Sequence, residues 1–144
     1  MTNGILFNKI WFDDDMIELR IKVSDGQSVS TNDVYVGHQH FSTIVSELDE
    51  FKTHIYGGIY DLAFGRFGPE YAHGAFHARL HFQDRGVLFI TVRAESDFRD
   101  FGKKNVASAA TLHLRTEPAL LDNFIADLKE IRDGARDEVT LVAI

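Results

Sequence analysis

Two stretches of strict alternation restrict most tightly how this chain can fold. Phe76, Ala78, Leu80 and Phe82 occupy every second position of 76–82, and Leu88, Ile90, Val92 and Ala94 do the same in 88–94. Period two puts each set on one face of a strand. Both sets are even-numbered, so opposed residues must have numbers of even sum, because a one-residue slip turns a face inside out. A three-residue loop Asp84-Arg85-Gly86, with Gly86 at positive φ, meets that condition by pairing Gln83 with Val87. A two-residue Arg85-Gly86 turn does not. The register then sets His77 opposite Arg93, Arg79 opposite Thr91 and His81 opposite Phe89.

The same period appears earlier. Ile17, Leu19, Ile21 and Val23 alternate with Glu18, Arg20 and Lys22, and Asp25-Gly26 then marks a hairpin turn into a second strand over 28–36. Before them, the apolar segment 5–12 ends at Asp13-Asp14-Asp15, read as a solvated turn; a calcium loop would need a ligand spacing that is absent. At 38–51 the period changes to that of a helix, with Phe41, Ile44, Val45, Leu48 and Phe51 on one side. A strand within 59–67, an aromatic and glycine-rich loop through 74, and a strand over 106–115 are expected next. Glu117-Pro118 opens a second helix with Leu121, Phe124, Ile125, Leu128 and Ile131 as its stripe, and Gly134 ends it. The tail 139–144 is apolar enough to dock as a short strand. Strands and helices in this order, without obligatory parallel crossovers, point to an α+β fold. The expectation is a single domain, 1–144, with a twisted, mostly antiparallel sheet and two helices packed on one face.

Composition narrows the function classes. The 144 residues carry a net charge of -7, 44% are hydrophobic, and there is no cysteine, which removes disulfides, thiol catalysis and cysteine-bound metal. No apolar run reaches the roughly 18 residues of a membrane span, and the N-terminus lacks the pattern of a signal peptide. The cytoplasm is the compartment expected, with no membrane partner. The acidic balance argues against nonspecific nucleic-acid binding, which rests on neutralising phosphates.

Charge falls into two groups. Read as strands, the alternating segments put Arg20, Lys22, His77, Arg79, His81, Arg93, His113 and Arg115 on one side. The helical segments carry Glu47, Asp49, Glu50, Glu117, Asp122, Asp127, Glu130 and Asp133. A basic sheet face and an acidic helical back are therefore expected. The acidic side, notably Glu47, Glu50, Asp122 and Glu130, would suit a basic protein partner. The basic side offers an alternative: a small-ligand or anion site using His77, Arg79, His81 and Arg93.

Metal and catalytic readings are weaker. His38 and His40 have the spacing of two imidazoles on one side of a strand, yet they fall at a strand-to-helix junction without a third ligand nearby, so capping or packing is the better reading. Asp61, Glu70, His73 and His77 could meet at the aromatic loop and provide an acid–base pair. Nothing in their spacing requires it, and no nucleophile elbow or phosphate loop occurs. No metal, cofactor or catalytic residue is assigned.

Several elements together resemble the WapI-type immunity proteins and related uncharacterised bacterial domains. They are Glu18-Leu19-Arg20-Ile21-Lys22-Val23, the strand Val34-Tyr35-Val36, the helix end Leu48 to Phe51, Phe64-Gly65, and the hairpin segment Gly86-Val87-Leu88-Phe89. A Phe-Pro helix ending belongs to that pattern, whereas here Phe51 is followed by Lys52. The resemblance implies a cytoplasmic protein that binds and neutralises a cognate toxin without catalysis or cofactor. A noncatalytic binding protein thus ranks first, an anion-binding domain second, and an enzyme at the aromatic loop third. A homodimer would form at an exposed sheet edge or at the apolar tail.

Overall fold

The computed structural model describes residues 2–71, 73–84 and 86–144. In chain order the elements are β1 (Gly4–Phe12), β2 (Met16–Ser24), β3 (Val29–Gly37), α1 (His38–Phe51), β4 (Ile59–Phe64), β5 (Ala75–Asp84), β6 (Val87–Glu95), β7 (Arg99–Phe101), β8 (Lys104–Val106), β9 (Ala109–Thr116), α2 (Pro118–Arg132) and β10 (Glu138–Val142). The α+β class and the antiparallel pairing are as expected, and the tail does return as a strand, β10, beside β1. The strands divide, however, between two four-stranded sheets, β10-β1-β2-β3 and β4-β5-β6-β9, with β7-β8 as a separate small hairpin. The division falls where α1 separates β3 from β4. Hairpin connections keep neighbours paired on either side of it, and a helical insertion breaks that continuity.

Each sheet turns one face to a shared core. Ile17, Leu19, Ile21 and Val23 meet Phe76, Ala78, Leu80, Leu88, Ile90 and Val92, and the apolar stripes of both helices complete the same cluster. Phe7 is its hub: its ring lies edge-on to Phe64 at 5.8 Å, Phe76 at 5.9 Å and Phe124 at 5.5 Å, joining both sheets and α2. Both helices lie on the core side and pack against each other. Asp49 of α1 reaches Lys129 of α2 at 3.2 Å.

Among the described residues, hydrogen bonds stitch the sheets at two places. The buried Asn32 side chain of β3 donates to the carbonyls of Ala75 (3.1 Å) and Glu95 (3.2 Å), across the gap between the sheets. Gly74 makes that approach feasible, because a Cβ there would stand 2.5 Å from the Asp33 carbonyl oxygen. At the other junction the fully buried Thr116 hydroxyl donates to the Val142 carbonyl at 2.7 Å, and Ile144 N–H donates to Arg115 O at 2.8 Å.

The β5–β6 register holds through the body of the hairpin, with His77 opposite Arg93, Arg79 opposite Thr91 and His81 opposite Phe89. At the tip it departs from expectation. Asp84, not Gln83, pairs with Val87, and a bulge puts Phe82 and Gln83 against Leu88 alone. The bulge absorbs the change of parity, so a short turn and an inward Phe82 coexist. Gly86 has φ +76° as anticipated, while Arg85, the middle of the proposed loop, lies outside the described residues. A second bulge interrupts β1: Lys9 pairs with Leu19 and Trp11 with Glu18, leaving Ile10 extra. The segment read as one strand over 106–115 instead begins at Ala109, because residues 99–106 fold back on themselves about Gly102 (φ +68°).

Candidate functional site

The basic face is split by the two-sheet architecture. His77, Arg79, His81, Arg93, His113 and Arg115 do share the outer face of β4-β5-β6-β9, as their register positions require. Arg20 and Lys22 lie on the outer face of the other sheet. The sequence count also omitted carboxylates on the neighbouring strands. Asp61 of β4 stands directly opposite Arg79, and its two oxygens accept from Nε (2.9 Å) and Nη2 (3.1 Å). His77 Nε2 lies 3.0 Å from the same carboxylate. The Arg79 bonds, assisted by His77, hold the Asp61 carboxyl below the usual carboxylate range. Arg93 covers the Phe67 ring, 4.5 Å from its centre. The central guanidinium of the anion reading is thus already engaged.

On the helical side, the acidic surface is thinner than the composition suggests. Asp49 is bridged by Lys52 (3.0 Å) and Lys129 (3.2 Å), and those two ammoniums lower its pKa. Arg136 pairs with Glu130 at 2.6 Å and with Asp127 at 3.6 Å. Among the described residues, no ion pair holds Glu47, Glu50 or Asp122, all of which are exposed. Glu47 accepts the Tyr60 hydroxyl at 2.9 Å; burial of that phenol, reinforced by Glu47, raises its pKa and keeps it a donor. Glu47 and Glu50 rim a cleft of about 370 Å³ whose floor includes Phe51, Ile59 and Tyr60. The cleft adjoins β4, the edge strand of its sheet, and Ile59 is half exposed there. Asp122 and Glu130 do not line it.

The aromatic loop does not gather the four residues considered for acid–base work. Asp61 and His77 meet, but His73 packs on Tyr35 of β3, ring centres 4.6 Å apart, and Glu70 lies against Gly68. Among the described residues, no three His, Asp or Glu side chains converge as metal ligands. His38 donates from Nε2 to the Asp13 carbonyl at 2.7 Å, which ties the start of α1 to the β1–β2 turn. That turn is closed by Asp13, whose Oδ1 accepts the amides of Asp15 (2.9 Å) and Met16 (2.8 Å).

A constellation that sequence reasoning missed lies on the outer face of β10-β1-β2-β3. Trp11, Glu18 and Tyr35 are consecutive cross-strand neighbours. The two rings meet edge-on at 6.2 Å across the strand that carries Glu18. The Glu18 charge raises the Tyr35 phenol pKa, with partial burial adding to it. Glu18, Tyr35, Asp33 and His73 line a cleft of about 430 Å³ that continues to Asp97 and Arg99. Its two arginines are occupied: Arg20 is held by both oxygens of Asp33 (2.9 and 3.1 Å), and Arg99 pairs with Asp97 at 3.2 Å. A strand with regular alternation from Phe7 would have turned Trp11 inward, so only the bulge reveals this row.

No family model, curated protein or solved structure matches the chain. No helix among the described residues is long and apolar enough to cross a membrane.

Proposed function

We propose that this chain is a noncatalytic binding domain that takes a basic protein partner on its helical side, in the manner of an immunity protein holding its toxin in the cytoplasm. The supporting observation is the cleft between α1 and β4. It combines an apolar floor, two exposed carboxylates that have no salt bridge among the described residues, and the outer edge of an edge strand at one place. An apolar centre with a charged rim is the anatomy of a protein interface, and carboxylates on the rim speed encounter with a basic surface. The edge of β4 offers main-chain groups to an added strand. The anion-binding alternative is less well supported, since Asp61 already satisfies Arg79.

The test is capture of partners from the source cell's lysate with the wild-type chain and with a variant reversing Glu47, Glu50, Asp122 and Glu130, both shown to be folded. A stoichiometric basic protein lost with the variant supports the reading. Its retention would exclude the helical side, and the absence of any partner under conditions that express the whole genome would exclude the function. Within the set, Glu47→Lys and Glu50→Lys should account for most of the loss, because Glu130 is already paired.

A further inference from the structure

We infer that Trp11, Glu18 and Tyr35 form a guanidinium-binding site for an arginine side chain presented by a peptide or protein. The site goes beyond the helical interface, lies on a different face of the molecule and does not depend on it. Four observations converge. The β1 bulge re-aims the only tryptophan of the chain to the outer face, where it is 45% exposed. A bulge that redirects one side chain disturbs its ladder, so such features concentrate where a side chain has work to do. Cross-strand pairing then places Glu18 on the strand between those that carry the indole and the Tyr35 ring, which meet edge-on above it.

The third observation concerns charge. Elsewhere the chain supplies cations to its own rings: Lys9 over Phe12 (4.9 Å), Arg66 over Tyr71 (5.7 Å) and Arg93 over Phe67 (4.5 Å). Among the described residues, no lysine or arginine lies over Trp11 or over Tyr35, whose ring packs on His73, and Glu18 has no salt bridge, its carboxylate standing beside the Tyr35 hydroxyl. Arg20, the nearest candidate on that face, is turned to Asp33 by two hydrogen bonds. With Arg99 committed to Asp97, Glu18 is the carboxylate left over in the cleft. Fourth, the cleft beside Glu18 is about 430 Å³, room enough for the stem of a long side chain.

The chemistry favours guanidinium over a compact ammonium. A guanidinium is planar, stacks on aromatic faces, is weakly hydrated and matches a carboxylate through two parallel N–H donors. Two aromatic rings flanking one carboxylate satisfy the face and the edge of that plane together. The surface is open, so a side chain on another macromolecule can reach it.

Because Trp11 is the sole tryptophan, its fluorescence reports the site directly. The experiment titrates the full chain, at constant ionic strength, with N-acetyl-arginine amide, N-acetyl-citrulline amide, N-acetyl-lysine amide and free L-arginine. A saturable change with blocked arginine is expected, with citrulline inert and lysine weaker. Glu18→Gln should reduce the arginine affinity by about tenfold, the scale of a charge-assisted pair. Tyr35→Leu should also weaken it, and circular dichroism would establish that both variants fold. Equal responses to arginine and citrulline, or an unchanged affinity in Glu18→Gln, would overturn the site. Lysine binding as well as arginine would overturn the guanidinium assignment, and much tighter binding of free arginine would overturn a peptide source. Reversal of Glu47 and Glu50 should leave the titration unchanged, which keeps the two proposals separable.

Discussion

The outer faces of the two sheets both present charged side chains to solvent, yet they differ in what is left over. On β4-β5-β6-β9, Asp61 takes Arg79 with both oxygens and His77 besides, so the centre of that face is closed. On β10-β1-β2-β3 the same kind of pairing joins Arg20 to Asp33. The adjacent outward residue of β2, Glu18, however, lies on the strand between Trp11 and Tyr35 and has no salt bridge among the described residues, the Arg20 charge acting on it only at longer range. Alternation tells which charges share a face. The next strand tells which of them remain available, because cross-strand neighbours stand only about 5 Å apart and an opposite charge there neutralises first.

Phe7→Ala gives the most severe test, since its ring joins the two sheets beneath both faces. A loss of about 3–5 kcal/mol is expected in urea denaturation. A loss under 1 kcal/mol would mean that the faces do not rest on one core. Leu80→Ala, beneath the closed face, should cost about 2–5 kcal/mol by the same measurement. Asn32→Ala comes next. It removes the donor to two carbonyls at the sheet junction and should cost about 1–3 kcal/mol, with faster amide exchange near Ala75 and Glu95 if the stitch is lost.

Smaller effects sharpen the comparison of the faces themselves. Asp61→Ala should change stability by no more than about 1 kcal/mol, as expected for an exposed pair. It should, however, release Arg79 and His77 and create measurable phosphate or sulfate binding that the wild type lacks. Failure to gain any anion affinity would show that Asp61 is not what closes the face. The least effect is in acid. The folded Asp61 carboxyl titrates below its unfolded value, so its contribution is complete above about pH 4 and is lost as pH falls through the folded pKa. The stability difference between wild type and Asp61→Ala should therefore shrink toward zero below that range and diminish with salt.

Much of this could be seen in the residues. The alternation of 17–23 and 76–94 set inner and outer faces correctly, and the helical stripes ending at Phe51 and Ile131 are the buried ones. Division into two sheets was not legible, because it depends on Gly74 and Asn32 meeting Asp33, Ala75 and Glu95 across 41 to 63 residues of separation. Local period carries no signal of such a junction. The acidic back was overcounted for a related reason: Arg136 and Lys129 reach Glu130 and Asp49 only once the helices are in place. Glu47 and Glu50 were singled out for charge alone, and their cleft with Tyr60 depends on β4 coming alongside α1.

The extra residue in β1 can be restated as a shift of reading frame. Upstream of Ile10 the faces are read in one phase, with Phe7 inward and Asn8 outward; downstream they are read in the other, with Trp11 outward and Phe12 toward the core side. Phe82 and Gln83 make the same single-letter insertion near the tip of the β5–β6 hairpin. In both hairpins the shift sits near the turn, so the body keeps its phase and only the few terminal letters change meaning. Deleting Ile10 would put β1 in one continuous frame without turning Trp11 away from Glu18. Deleting Asn8 would do the same, because Phe7 and Trp11 would then lie three positions apart, as Ile21 and Glu18 do, and regular alternation would keep one inward and the other outward.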